Sequence, residues 1–353
     1  MPIETLREFL PGLREGRELG QAEAERAVAL LLDEQTSDGD RALFLIALAD
    51  KGETGRELAA FARALLPHAT PFPEIDFPVA GPLLDCCGTG GGGYPLFNVS
   101  TAVLFIAAAA GVPVVKHGNR GITKPSGSAD VVTALGLKAE LTPEEAVLSL
   151  KELGFAFLHA PTFHPAFRRL GPVRQELGAK GRRTIFNLLG PLLNPAQPGA
   201  RLVGVFRKEH VPLYAAALRE LGVPRFAVAY GCAGGQPLGE ISSSASAENV
   251  IEGSVPLALP KFRMEAFEPS FLAPLQVRTA AESAALIERL FKGEDLEEIG
   301  FGYSLLSFNA GAALAVQGAA PTFMEGVSRA QDILASGAAW RKLEEARAWS
   351  RGR

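Results

Sequence analysis

Cysteine is scarce: the 353 residues contain three, two of them adjacent (Cys86, Cys87) and one distant (Cys232). That is too few for a disulfide framework and offers no CxxC pair for zinc, so a reducing compartment, the cytoplasm, is expected. Charge of either sign is also not in large excess. A formal net charge of −4 gives no general attraction to nucleic acid or an anionic membrane, so any anion must be bound by a local site. Long hydrophobic runs are missing as well. The longest, Ala102 to Val115, is interrupted by Gly111 and Pro113 and falls short of a bilayer span. The opening residues mix acidic and basic side chains without an apolar secretory core, so no leader is expected. Neither GxxxxGK[ST] nor a clear GxGxxG fingerprint occurs, and no repeat or low-complexity segment appears.

What is present is a chain that is 47% hydrophobic and 21% charged, enough to bury a large core and to form two domains. Residues 1 to about 67 read as helices, with Leu6, Phe9, Leu10 and Leu13, then Ala24, Ala27, Val28 and Leu31, at helical spacing. Ser37 with Asp40 and Thr54 with Glu57 resemble capping boxes. Prolines 67, 71, 73 and 78 mark a linker. From residue 83 strands and helices alternate: strands at 83–87, 112–116, 155–158, 202–206 and 226–230, helices at 100–110, 126–135 and 209–221, with Thr142 to Glu145 opening another. This is an α/β domain with a largely parallel sheet. After Pro260 long helices at 279–292, 303–316 and 322–348 are expected.

The chemistry gathers between residues 84 and 120. An apolar strand runs into a glycine-rich turn, Gly88 to Gly93 interrupted by Thr89, then into Asn98-Val-Ser-Thr101 and a helix. Glycines let main-chain N–H groups approach an anion, and a helix N-terminus favours negative charge; Ser100 and Thr101 are candidate caps. The next strand ends on Lys116-His-Gly-Asn-Arg120, where open α/β sheets place ligands. A mobile surface loop is the competing reading of the glycines. His117 belongs to a polar ligand-binding patch and receives no acid/base role.

Several motifs in order, Lys51-Gly-Glu-Thr54, Gly88-Thr-Gly-Gly91, Asn98 to Thr101, Lys116 to Arg120, Ser126-Gly-Ser-Ala-Asp130, His164-Pro165, Val173-Arg174 and Arg183 through Pro191 to Asn194-Pro195, resemble the anthranilate phosphoribosyltransferase family along the length of the chain. The resemblance implies a nucleoside phosphorylase/phosphoribosyltransferase-like architecture: a helical domain over 1–70, completed by helices near 164–185, and an α/β domain over 80–353. It implies transfer of the phosphoribosyl group of 5-phosphoribosyl 1-diphosphate (PRPP) to the amine of anthranilate, with Mg²⁺ as cofactor, in a homodimer with no membrane or nucleic-acid partner. Carried over, the PRPP site comprises Gly88, Gly91, Gly92, Asn98, Val99, Ser100, Thr101, Lys116, His117, Gly118, Asn119, Arg120, Thr123, Lys124 and Ser128. Gly88, Asn119 and Arg174 would meet anthranilate, and Ser100 and Glu240 the metal.

The chain departs from the family where charge matters. Gly92 and Gly239 stand where acidic residues are usual, Leu96 where a threonine is usual and Lys124 where a serine is usual, and Ala179 to Gly181 lie at an insertion. Losing two carboxylates should weaken metal loading unless PRPP supplies most ligands. Lys124 is either a replacement charge at the diphosphate or a solvated lysine. Restoring aspartate at 92 and 239 is then expected to raise turnover or lower the Mg²⁺ requirement. Three functions stay open: the transferase with an altered metal site, a paralogue binding PRPP, a nucleotide or nucleic acid with another acceptor or no catalysis, and a related phosphorylase. Cys86 and Cys87 are expected to be core thiols, and His159 and His164 to serve capping or packing.

Overall fold

The structure, a computed structural model, describes residues 4–90, 94–121, 127–244, 248–260 and 269–353. Four helices open the chain, α1 (Leu10–Arg14), α2 (Gln21–Leu32), α3 (Asp38–Lys51) and α4 (Gly55–Leu65). The Thr54 and Glu57 capping box forms in both directions, with Glu57 N–H donating to Thr54 Oγ1 at 3.2 Å and Thr54 N–H to Glu57 Oε2 at 3.0 Å. Lys51 Nζ donates to the same carboxylate oxygen at 2.7 Å, and Leu19 N–H to Glu57 Oε1 at 3.0 Å. Glu57 is buried, and each of its carboxyl oxygens has a hydrogen-bond partner, as burial of such a group requires. Lys51 to Thr54 thereby ties the end of α3 to the start of α4. Ser37 caps only one way, accepting from Asp40 N–H at 3.1 Å.

The α/β part follows as β1 (Leu84–Gly88), α5 (Val99–Ala109), β2 (Val114–Gly118), α6 (Ser128–Ala134), α7 (Pro143–Leu153), β3 (Phe155–His159), α8 (Ala160–Phe163), α9 (Gly171–Ala179), β4 (Ala200–Gly204), α10 (His210–Glu220) and β5 (Arg225–Ala233). Then come β6 (Gln236–Pro237), β7 (Asn249–Gly253), α11 (Ala280–Lys292), α12 (Leu296–Gln317), α13 (Phe323–Ala335) and α14 (Ala338–Arg351). The sheet runs β3-β2-β1-β4-β5 in parallel, and β6 and β7 both pair antiparallel with β5. Those two short strands were not legible in the sequence. The helix expected over 322–348 is two helices, because Gly337 adopts φ +70° between them. α12 begins seven residues earlier than expected and kinks at Ile299.

The pleat distributes each strand between two cores. Leu202 and Ala227 face α5 and the C-terminal helices, where Phe105 contacts Phe155 and Phe291 edge-on. Val203, Phe226 and Val228 face the other way, into one core with Phe9, Phe44 and Phe61 of the opening helices. Leu170, Val173, Leu177, Ile185 and Phe186 join that same core, so the segment containing α9 packs with α2 to α4 although it lies more than 100 residues later. Among the described residues α12 has the length and composition of a membrane span, yet 78% of its apolar window is buried inside the protein. It is the core helix behind the sheet.

Candidate functional site

Strands β1 and β4 end side by side, with Thr89 N–H donating to Gly204 O at 2.9 Å, and a cavity opens there. Cys86, Gly88, Ser100, Gly204, Glu240 and Asn309 line it. Lys116 binds two of these lining residues. The side chain is almost wholly buried, donating to Cys86 O and, at 3.1 Å, to Ser100 Oγ. An ammonium has three donors, and two are engaged within the described residues. The helix start differs from expectation: α5 begins at Val99, with Asn98 as N-cap and Ser100 and Thr101 inside the first turn. Asn98 does not cap with its side chain; its Oδ1 accepts from Ser283 Oγ at 3.1 Å and its N–H donates back at 3.0 Å. Within the first turn Val99 N–H donates to Phe97 O at 2.8 Å and Thr101 N–H to Asn98 O at 3.0 Å, which leaves the Ser100 N–H without an acceptor among the described residues and so with capacity for an anion. Thr101 Oγ1 is buried without a partner among the described residues.

Glu240 comes to this cavity from 140 residues away by an unusually close approach of backbones. A Cβ added to Gly204 would lie 2.0 Å from Gly239 O, and one added to Gly231 would lie 2.0 Å from Glu240 O. Glycine on both flanking strands is what lets the 239–240 segment settle between them. Gly239 itself has φ +73°, and a Cβ there would sit 2.5 Å from the Phe206 ring. An aspartate at 239 would meet both a left-handed backbone and the Phe206 ring, which weighs against the gain expected from restoring it. Its partner position, Gly92, lies outside the described residues with Gly91, Thr123 and Lys124. Among the described residues no three His, Cys, Asp or Glu side chains converge as a metal site. The Glu240 carboxylate and the Ser100 hydroxyl, which line one cavity, are hard oxygen donors suited to Mg²⁺, which takes most of its remaining ligands from water and phosphate.

The other face of β2 carries different chemistry. His117, next to Lys116, points away from α5: its Nδ1 lies 3.2 Å from Gly190 O and its ring meets His164 edge-on at 5.2 Å. Burial pushes the His117 pKa down to about 3 and that of His164 down to about 4, so both rings are neutral near pH 7. His164 Nε2 is 2.9 Å from Leu193 O, and its ring stacks on Phe167, which meets Phe186. Arg174 on α9 closes this series with its guanidinium 5.5 Å from the Phe186 ring centroid. Burial lowers the Arg174 pKa, and within the described residues the ring is its one recorded contact. A half-buried guanidinium without an anion is a place for a carboxylate.

Asp85, within apolar β1, anchors this face and escaped the sequence reading. Its Oδ2 accepts from Asn194 Nδ2 at 2.8 Å and its Oδ1 from His117 N–H at 3.4 Å, while Asn194 also donates to Val115 O at 2.8 Å. Burial raises its pKa, against the pull of Lys116. A lone charge in an apolar strand was the available signal. Cys86 and Cys87 are inert thiols, burial pushing the Cys87 pKa up to about 12 and that of Cys86 higher.

The remaining expected residues separate. Gly118 packs tightly: a Cβ would lie 2.2 Å from Ser128 Oγ and 2.7 Å from the Phe157 ring. Ser128 Oγ is 3.5 Å from Asn119 O, so these three stand together at the end of β2. Val99 is buried in the core. Arg120 is turned to exposed Glu140 at 2.7 Å and half-buried Asp130 at 3.2 Å, and does not line the cavity at Ser100.

Two family models match the chain, a glycosyl transferase family helical bundle domain over residues 7–69 and a glycosyl transferase family a/b domain over residues 80–340. Anthranilate phosphoribosyltransferase of Sphingopyxis alaskensis is 41% identical over 325 residues, covering 91% of this chain and 93% of that protein. That of Synechococcus sp. (strain JA-3-3Ab) is 38% identical over 338 residues, covering 96% and 95%. The crystal structure of anthranilate phosphoribosyltransferase from Thermus thermophilus superposes with a TM-score of 0.80 at 37% identity, covering 97% of this chain and 99% of that one. The fold is shared at 24% identity with the Saccharomyces cerevisiae enzyme in complex with PRPP and Mg, TM-score 0.79.

Proposed function

This chain belongs to the anthranilate phosphoribosyltransferase family, and on that premise we propose that it transfers the phosphoribosyl group of PRPP to the amino group of anthranilate, a step of tryptophan biosynthesis, releasing diphosphate. The observation that carries this reading is the one cavity lined by Gly88, Ser100 and Glu240, with Lys116 bonded to its Ser100 hydroxyl, and Arg174 without an anionic partner among the described residues.

The bond that forms joins the anthranilate nitrogen to ribose C1, the bond that breaks joins C1 to the diphosphate oxygen, and the proton the nitrogen sheds passes to the departing diphosphate. Negative charge grows on the leaving group, so the greatest help comes from fixed positive charge there. The Lys116 ammonium and the Ser100 N–H at the start of α5 would supply it. Ser100 and Glu240 would hold Mg²⁺, which when bound neutralises further diphosphate charge. Arg174 would fix the anthranilate carboxylate and so orient its amine, a gain of alignment more than of basicity. A neutral arylamine is already a nucleophile. His117 and His164, held neutral by burial, need carry no proton. Gly118, Asn119 and Ser128 shape the backbone at the ribose phosphate side, and Gly88 and Asn119 border both substrates. Gly91, Gly92, Thr123 and Lys124 belong to the same proposed PRPP site on the family resemblance alone.

The assembly we propose is a homodimer in the cytoplasm, which sedimentation of the purified protein tests. Gly92 and Gly239 favour one second reading, a paralogue of this fold with another acceptor. Consumption of anthranilate by the purified protein with PRPP and MgCl₂, followed by its fluorescence, is the deciding assay. Turnover that stops when PRPP is omitted supports the transferase; a folded protein that binds PRPP calorimetrically yet leaves anthranilate untouched supports the paralogue.

A further inference from the structure

Among the described residues Glu240 is the one acidic side chain lining the cavity, so its placement bears more weight here than where several carboxylates share the work. Its main chain is gripped from two sides by Gly204 and Gly231. A third restraint comes from the core helix. Asn309 on α12 accepts the Ile241 N–H with Oδ1 at 2.9 Å, and its Nδ2 donates to Ile241 O at 2.9 Å and to Leu305 O at 2.8 Å. The N–H belongs to the peptide joining 240 to 241 and the carbonyl to the next peptide. One side-chain amide therefore fixes both planes that follow Glu240, and with them the direction in which its carboxylate leaves the chain.

The residue type is informative. Asn309 is 2% exposed, in a helix flanked by Phe308, Ala310 and Ala312, where an amide costs free energy unless every donor and acceptor is paired. Both amide hydrogens are committed, so Asn309 has none to give a substrate. Its remaining contribution is to geometry.

We infer that Asn309 is a positioning residue for the metal-loaded diphosphate site, acting through the Glu240 carboxylate; this rests on the metal role given to Glu240 in the proposed function. Residues behind a metal ligand typically change metal affinity by about ten- to hundredfold when removed. The probe is Mn²⁺ binding to the PRPP-saturated protein, read by the loss of the free-ion electron paramagnetic resonance signal. Asn309→Ala should raise the Mn²⁺ Kd by about tenfold or more and raise the Mg²⁺ needed for half-maximal rate in parallel, with the KM for anthranilate unchanged. On a Glu240→Gln background the same substitution should add nothing. If the alanine variant does not fold, Asn309→Asp, which keeps the acceptor for Ile241 N–H and loses both donors, is held to the same criteria. A folded variant with unchanged Mn²⁺ affinity, or with an equal loss on both backgrounds, overturns the positioning role while leaving the transferase reading intact. Wild-type protein that turns over without any Mn²⁺ or Mg²⁺ response would remove the metal role of Glu240 and the positioning role together.

Discussion

Lys116 and His117 are neighbours in sequence and lie on opposite faces of β2, in opposite chemical worlds. On the α5 side an ammonium is held by Cys86 O and Ser100 Oγ, two groups of residues that line a cavity together with Gly88, Gly204 and Glu240. On the helical side two imidazoles are kept neutral and packed into a row of rings that leads to a single guanidinium. The first face suits diphosphate, which wants dense positive charge and N–H groups. The second suits a flat aromatic carboxylate, which wants apolar walls and one cation. A two-substrate transfer needs both within reach of one strand end, and the pleat supplies the separation.

The comparison breaks most visibly at Lys116. Lys116→Met removes the buried charge from one face only, so kcat/KM for PRPP should fall on the order of 10²- to 10³-fold while the KM for anthranilate stays near the wild-type value. Steady-state kinetics in both substrates would show this; a proportionate rise in both KM values would mean that the two faces are not chemically distinct. Arg174→Ala is the mirror experiment. Loss of one charge-assisted contact should raise the KM for anthranilate by about ten- to hundredfold and leave that for PRPP alone, and equal shifts would assign Arg174 to packing against Phe186.

A smaller effect is expected from putting acid back on the diphosphate face. Gly239→Asp should destabilise by roughly 1–3 kcal/mol without lowering the Mg²⁺ requirement, because φ +73° and the Phe206 ring stand against the new side chain. Denaturant melts and a Mg²⁺ titration test it, and a folded variant that needs less Mg²⁺ would contradict the steric account.

The smallest effect belongs to the histidine face. His117 and His164 have native pKa values of about 3 and about 4 against an ordinary 6.5, so the unfolded chain binds more protons than the native one in that window. Their contribution to stability is complete above the ordinary value and fades as pH falls toward the native ones. Asp85, with a raised pKa, works with the opposite sign, so a single variant is more telling than the absolute curve. His164→Gln should reduce the loss of Tm between about pH 7 and about pH 5 by a few degrees. Identical pH slopes in the two proteins would mean that His164 titrates normally.

Much of this was legible before any coordinates. The strand, glycine turn and helix of residues 84–109, the charged end of β2 and the Thr54–Glu57 cap follow from local rules of geometry and capping, which act over a few residues. The family resemblance placed Arg174 and Glu240 in the site without saying how they arrive. Illegible were the helix break at Gly337, where glycine among good helix formers reads as tolerable, and the short edge strands β6 and β7, whose pairing depends on β5. Asn98 was equally opaque, since its partner Ser283 lies 185 positions away.

The sequence by itself determined which elements form and which side chains carry charge, because periodicity, capping and turn chemistry are local. Only the tertiary structure decided that Lys116 and His117 serve opposite faces, that Asp85 binds Asn194, and that Glu240 reaches the cavity lined by Ser100, between two glycines and under the hold of Asn309. Those outcomes depend on pleat phase, on backbone approach at 2.0 Å from a missing Cβ, and on the pairing of buried amides, and each requires atoms far apart in sequence to meet.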